Sequence, residues 1–215
     1  MITTKYEIQN TRYGKGYTLI ELLVALIVSS IILAAVATLA FAMSSANDAS
    51  DDTSIKQAQV RYATLRVSEL VRHCKLICGT PGDDLAIWKA DTNGDSLINI
   101  NELVYIERGS SADYLRLCEF PASATSTITL SGIETLSPES YSKSSITRAT
   151  LIPQCSNVDF LVDVESPLAK SKFLSISFDL VENNSVRHYQ INTTLRSWAG
   201  NLLNAAGTAI VSDDD

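Results

Sequence analysis

One feature limits this chain before any other: Leu22 to Met43 reads LLVALIVSSIILAAVATLAFAM, 22 residues without a charged side chain. As a helix rising about 1.5 Å per residue it extends about 33 Å, which matches the roughly 30 Å hydrocarbon core of a bilayer. A buried helix of a soluble protein seldom runs that far without a polar stripe. The run therefore reads as a membrane segment.

The flanks orient it. Lys5, Arg12 and Lys15 precede it against Glu7 alone, whereas Asp48, Asp51 and Asp52 follow it before the first base at Lys56. The positive-inside rule keeps the N-terminus cytoplasmic and sends the bulk of the chain across. A secretory signal peptide has the same charge order, but its apolar core is about 7–15 residues and its cleavage site follows that core. Here the candidate cleavage site comes first.

Residues 1–16 are short and basic and read as a processing leader. Residues 17–43 form the membrane half of a long helix, and 44–78 its exported half. In that second half Ile55, Ala58, Tyr62, Leu65, Val67, Leu70, Val71 and Cys74 recur at spacings of three and four. The spacing predicts an amphipathic face packed on a globular head. Ser44 to Ser54 have poor helix propensity and predict a bend or local melting. Gly79-Thr-Pro-Gly predicts the helix end.

Residues 79–215 then read as a β-rich head. Runs of branched and aromatic residues predict strands at Leu85 to Trp88, Leu103 to Glu107, Tyr114 to Phe120, Val158 to Val164, Phe173 to Val181 and Val186 to Arg196. Leu174, Ile176, Phe178 and Leu180 alternate with Phe173, Ser175, Ser177 and Asp179, the pattern of a half-buried antiparallel sheet. Asn183-Asn184 predicts the turn between the last two strands. A Ser/Thr-dense stretch, 121–149, reads as an exposed connection, with Thr127 to Leu130 as a short strand. The predicted class is α+β: a long N-terminal helix packed on an antiparallel sheet.

Cys74, Cys78, Cys118 and Cys155 all lie on the exported side. An even count there favours disulfides, and the three pairings stay open. Four buried thiols are the other reading. His73, Cys74 and Cys78 are close in sequence but lack the paired spacing of a zinc knuckle.

A carboxylate opens the membrane run, in Gly16-Tyr-Thr-Leu-Ile-Glu21. A lone acid in lipid is costly unless paired, and is a functional candidate for that reason. Cleavage after Gly16 would give a new α-amino group on Tyr17, about one helical turn from Glu21. This stretch, with Leu-Leu-Val-Ala-Leu after it, resembles the class III signal of type IV pilins and type II secretion pseudopilins. The resemblance implies cleavage after Gly16 by prepilin peptidase and N-methylation of Tyr17. It also implies that Glu21 neutralises a neighbouring subunit's N-terminus during assembly. Tyr at the first mature position and the sixteen-residue leader depart from the commoner form. The implied location is a bacterial inner membrane, single-pass, and then a pilus or pseudopilus; the implied partners are other subunits meeting this one through the helix. Leu103-Val-Tyr-Ile-Glu-Arg, Tyr114-Leu-Arg-Leu and late strands ending near Leu195-Arg-Ser resemble J-type minor pseudopilins and W-type minor pilins, which implies a role in filament initiation or at the tip.

A second pattern is Asp91-Thr-Asn-Gly-Asp-Ser-Leu-Ile-Asn-Ile-Asn-Glu102. It puts oxygen ligands at loop positions 1, 3, 5, 9 and 12 (Asp91, Asn93, Asp95, Asn99, Glu102), with the Leu97 carbonyl at 7. Calcium takes six to eight hard oxygens, and a curled twelve-residue loop closed by a bidentate Glu supplies them. The loop resembles an EF-hand or dockerin loop, except that Ser96 replaces the glycine at position 6 and the flanks read as strands. Asp83 and Asp84 read as solvated turn residues. An acidic hairpin that binds nothing is the competing reading.

The chain lacks a G-x-S-x-G elbow, H-E-x-x-H or phosphate loop, and its two histidines, His73 and His188, stand far apart. Catalysis is not expected. The net charge of −7 and the absence of a basic, aromatic-interleaved patch argue against nucleic acid. The Asn-X-Ser/Thr sequences at Asn183 and Asn192 are incidental beside a bacterial leader. If the leader were never cut, the chain would instead be a permanently anchored, calcium-binding periplasmic receptor or adhesin.

Overall fold

The computed structural model describes residues 16–80, 84–109, 111–136, 138, 141 and 145–211. The leader through Lys15, Asp83, and most of 137–144 within the Ser/Thr-rich connection lie outside the described residues. The chain divides into two compact units, Met1–Ser50 and Asp51–Asp215.

Helix α1 is Leu19–His73. In the first unit its Leu22 to Met43 side chains are exposed throughout, and among the described residues α1 alone is long and apolar enough to cross a membrane. Two of its hydroxyls bond within the helix: Ser30 Oγ donates to the Ile27 carbonyl at 2.7 Å and Thr38 Oγ1 to the Ala34 carbonyl at 2.8 Å. Such back-bonding removes the cost of carrying them into hydrocarbon.

The local melting expected at Ser44 to Ser54 is not found; these residues are helical. Each poor helix former costs only a few tenths of a kcal/mol, less than breaking and renucleating a helix that is strong on both sides.

In the second unit α1 ends at His73 instead of Cys78. Arg72 and His73 occupy its last turn, where a base complements the helix dipole. Leu76–Gly79 is strand β1, not helix, because Leu76 and Ile77 are each fully buried in different core clusters. A strand points successive side chains to opposite faces, which a helix cannot do.

Strands β2 (Leu85–Trp88), β3 (Leu103–Arg108), β4 (Leu115–Glu119) and β5 (Thr147–Ile152) continue from β1 as an antiparallel meander. Strands β6 (Ser156–Val162), β7 (Phe173–Glu182) and β8 (Ser185–Thr194) make a second, three-stranded sheet. The predicted alternation in β7 holds on its apolar side: Leu174, Ile176, Phe178 and Leu180 are all at most 1% exposed. Asn183 and Asn184 join β7 to β8 at φ +48° and +61°, the left-handed pair that a two-residue hairpin turn requires and Asn tolerates. Strand β5 starts inside the stretch predicted as connection. Of the short strand expected over Thr127 to Leu130, only Thr127 pairs, with Asn99, and Leu130–Ile133 is a short helix, α2, capped by Thr129.

Two apolar cores hold the head. Ala63, Val67, Val71 and Cys74 pack with Ile87, Ile106 and Leu117 of the first sheet and Ile176 and Phe178 of the second. Each fully buried Val or Ile contributes about 1.5–3 kcal/mol. The opposite face of the first sheet, with Leu76, Trp88, Tyr105 and Cys118, is covered by Leu130, Ile133, Ala169 and Ala199. The architecture is α+β, as expected.

The apolar stripe of α1 is only partly the predicted one. Ala63, Val67 and Val71 are fully buried, but Ile55, Tyr62 and Leu65 are 57%, 48% and 70% exposed.

Candidate functional site

Gly16 and Tyr17 precede α1 and are exposed. A side chain on Gly16 would meet no atom within 4 Å, so packing does not demand glycine there. Thr18 and Glu21 are joined at the first turn. The Thr18 backbone N–H and hydroxyl both donate to Glu21 Oε2, at 2.8 and 2.9 Å, and the Glu21 N–H donates to Thr18 Oγ1 at 3.3 Å. This is a capping box, the Thr-x-x-Glu arrangement that satisfies helix-terminal donors reciprocally. Glu21 thus enters the apolar helix with its charge already hydrogen-bonded. The sequence reading had named Glu21 and missed Thr18, although the Thr-x-x-Glu spacing was visible within GYTLIE.

The oxygen-rich loop is shaped by its own hydrogen bonds. Asp91 accepts from the backbone N–H of Gly94 at 2.7 Å and of Ser96 at 3.0 Å, and Asp95 from that of Leu97 at 2.8 Å. The Leu97 bond, aided by the Asn93 and Asn99 amides, holds the Asp95 carboxyl below its usual range against the opposing effect of desolvation. Gly94 and Ser96 both take positive φ, +74° and +58°. The turn that position 6 requires is therefore made by serine, with glycine helping two residues earlier.

Glu102 accepts hydrogen bonds through both of its carboxylate oxygens. Oε1 accepts from the Thr92 N–H and hydroxyl at 2.6 and 2.7 Å; Oε2 accepts from the Trp88 indole at 3.1 Å and the Asn99 N–H at 3.4 Å. Those four donors fill the carboxylate's lone-pair directions. Burial pushes this carboxyl up, and the bonds from Thr92, Trp88 and Asn99 outweigh it, leaving it below the usual range. Among the described residues no three His, Cys, Asp or Glu side chains group to hold a metal.

The structure holds all four cysteines as free thiols. Cys74 and Cys78 belong to opposite core clusters. Cys78 and Cys118 share a face but sit on β1 and β4, three strand spacings or about 14 Å apart, beyond disulfide reach. Burial pushes the Cys74 thiol up to about 12 and the Cys155 thiol up to about 11, and raises Cys78 further.

A polar network missed by the sequence reading surrounds Cys118. Its thiol donates to Glu107 Oε2 at 2.8 Å, and Arg116 binds both Glu107 oxygens. Burial raises the Glu107 carboxyl, but the bonds from Arg116 and Cys118 bring it below its usual range. Burial and the adjacent Glu107 push the Cys118 thiol up to about 12. His188 Nδ1 lies 2.8 Å from Asp179 Oδ1 on an exposed strand face, and His73 Nδ1 lies 3.0 Å from the Glu69 carbonyl. Neither contact supplies a nucleophile.

A family model of the prokaryotic N-terminal methylation motif matches residues 11–37. No curated protein and no solved structure matches the chain. The matched span contains Gly16, Tyr17, the Thr18–Glu21 box and most of the apolar run, and through it this chain carries the class III prepilin signal of type IV pilins and pseudopilins.

Proposed function

We propose that this protein is a structural subunit of a type IV pilus or a type II secretion pseudopilus. Prepilin peptidase processes it after Gly16, and α1 assembles it with other subunits. The observation that carries the reading is the Thr18–Glu21 box at the head of an apolar helix, inside the matched motif. Both box residues lie beyond the Gly16–Tyr17 bond, so the cap survives cleavage. Gly16 stands in open space, which leaves recognition by the peptidase as the reason for a glycine there.

Within that class we infer a minor subunit of the J- or W-type, acting in filament initiation or at the tip. Support comes from the head's strand order and its Ser/Thr-rich insertion. The N-terminus is cytoplasmic and the head periplasmic before assembly, on the strength of the flanking charges. Calcium binding is a separate proposal, resting on the oxygen-rich sequence of 91–102 with Asp91, Asn93, Asp95, Leu97 and Asn99 as donors. A calorimetric titration of the full chain with calcium tests it: one saturable site supports it, and no heat leaves a purely hydrogen-bonded turn.

The deciding experiment is the intact N-terminal mass of the chain from membranes containing active prepilin peptidase. A chain beginning at methylated Tyr17 supports the filament reading. Retention of residues 1–16 overturns it in favour of an anchored periplasmic receptor.

A further inference from the structure

The loop between β2 and β3 carries the chain's single Asn-Gly pair, Asn93-Gly94. Asparagine before glycine is chemically weak, because the next backbone nitrogen can attack the side-chain amide carbon and glycine has no Cβ to obstruct the closure. Both residues are exposed, so water reaches them. A Cβ built on Gly94 would meet no atom within 4 Å, so nothing crowds the attacking nitrogen.

The attack needs a proton acceptor at the Gly94 nitrogen, a donor to the Asn93 side-chain oxygen as it gains charge, and an amide held in one orientation. The loop supplies each. The Gly94 N–H donates to Asp91 Oδ1 at 2.7 Å, which places a carboxylate where the proton must go. Asn93 Oδ1 accepts the Asp95 N–H at 3.1 Å, and a backbone donor aimed at an oxygen that becomes negative is an oxyanion-hole arrangement. Asn93 Nδ2 donates to Asp95 Oδ2 at 2.7 Å, and that bond fixes the amide.

We propose that Asn93 is a self-modification site, at which the Asn93-Gly94 pair closes to a succinimide with loss of ammonia and water reopens the ring to aspartate or isoaspartate. In the closure the Gly94 nitrogen gives its proton to Asp91 and bonds Asn93 Cγ. The Cγ–Nδ2 bond then breaks, and the departing nitrogen recovers the proton through solvent and leaves as ammonia. In the reopening water adds across one of the two ring C–N bonds of the Gly94 nitrogen, its OH on carbon and its hydrogen on nitrogen. The new acid passes its proton to ammonia, and nothing is oxidised or reduced. Opening at Cγ gives aspartate in the ordinary backbone; opening at the Asn93 carbonyl carbon routes the backbone through the side chain. Either product adds one negative charge, beside Asp91 and Asp95, to a chain encoded at −7. Because ammonia is lost, the change accumulates with the age of the molecule.

The same hydrogen bonds would slow the reaction if they did no more than hold the loop still, so the sign of the effect decides. The full chain is aged in detergent with EDTA, beside the same chain unfolded in urea. Mass mapping of the Asn93 peptide, with isoaspartate-selective methylation, measures the conversion. The folded chain should convert faster on the order of a hundredfold, the low end of what a positioned proton acceptor contributes. Asp91→Asn keeps an acceptor oxygen but loses the base, and should slow the folded chain toward the unfolded rate; a loop merely held still by Asp91 would convert faster instead. Conversion of the folded chain no faster than in urea, or undiminished in Asp91→Asn, overturns the inference. The comparison of folded with unfolded wild-type chain decides it alone where Asp91→Asn fails to fold, and neither result depends on filament assembly.

Discussion

The Thr18 hydroxyl donates to Glu21 Oε2 at 2.9 Å while the Glu21 N–H donates back to Thr18 Oγ1 at 3.3 Å, closing the first turn of α1 on itself. In a membrane-held subunit this bond lowers the cost of an unpaired carboxylate. The same carboxylate is the group that the resemblance assigns to a neighbour's amino terminus, so assembly in that manner would exchange an internal partner for an external one.

Glu21→Ala should leave processing at Gly16 intact and abolish recovery of the chain in sheared filaments. Thr18→Val keeps the size of the side chain and the backbone N–H donor but loses the hydroxyl, so recovery should be intermediate. Immunoblots of sheared and membrane fractions read both. Normal incorporation of the Glu21→Ala chain would exclude the pairing role.

In the structure Glu102 accepts four hydrogen bonds, from Thr92, Trp88 and Asn99. Glu102→Gln replaces one acceptor oxygen by a donor facing N–H and O–H groups and removes the charge, which should cost on the order of 2 kcal/mol given the worth of bonds to charged groups. Thermal melts should show equal losses in EDTA and in calcium. A loss confined to calcium would mean that Glu102 is a ligand after all.

How much of this was legible beforehand depended on whether a local pattern had one meaning. The apolar run, the alternation in β7 and the Asn183-Asn184 turn each admit one reading, and each is found. Leu76-Ile77-Cys78 fits a helix continuing from Val71 as well as it fits a strand, because a short apolar run carries no period; only pairing with β2 decides it. Ile55, Tyr62 and Leu65 shared a plausible period with Val67 and Val71, yet spacing does not say which arc meets the core. Glu102 stands at the right place for a metal ligand, and its use is fixed by Trp88, whose position across the β2–β3 pair is a property of register. Thr18 was readable and overlooked.

Stability should fall in acid below about pH 4. Glu102 and Glu107 both have folded-state pKa values below their usual range, so their contribution is complete above the unfolded value and is lost as pH falls through the folded one. Glu107→Gln should flatten the acid limb of a melting-temperature profile. It should also cost about 2 kcal/mol at neutral pH, less than the roughly 3–5 of a fully buried broken pair, because the Arg116 side chain is 26% exposed. An unchanged acid limb would remove Glu107 from the account.

The cysteines offer a test that separates the structure from the disulfide expectation. In the folded chain three thiols are buried, only Cys155 is partly exposed, and burial first, with Asp113 nearby, raises the Cys155 pKa to about 11. The thiolate is the reactive form, so iodoacetamide at pH 8 should label the native head slowly and Cys155 first. In denaturant without reductant the same protein, taken from the periplasm, should gain four carbamidomethyl groups by intact mass. Two labels would reveal one disulfide and none would reveal two. A Cys78–Cys118 bond in particular would require β1 or β4 to move, since three strand spacings separate the two residues.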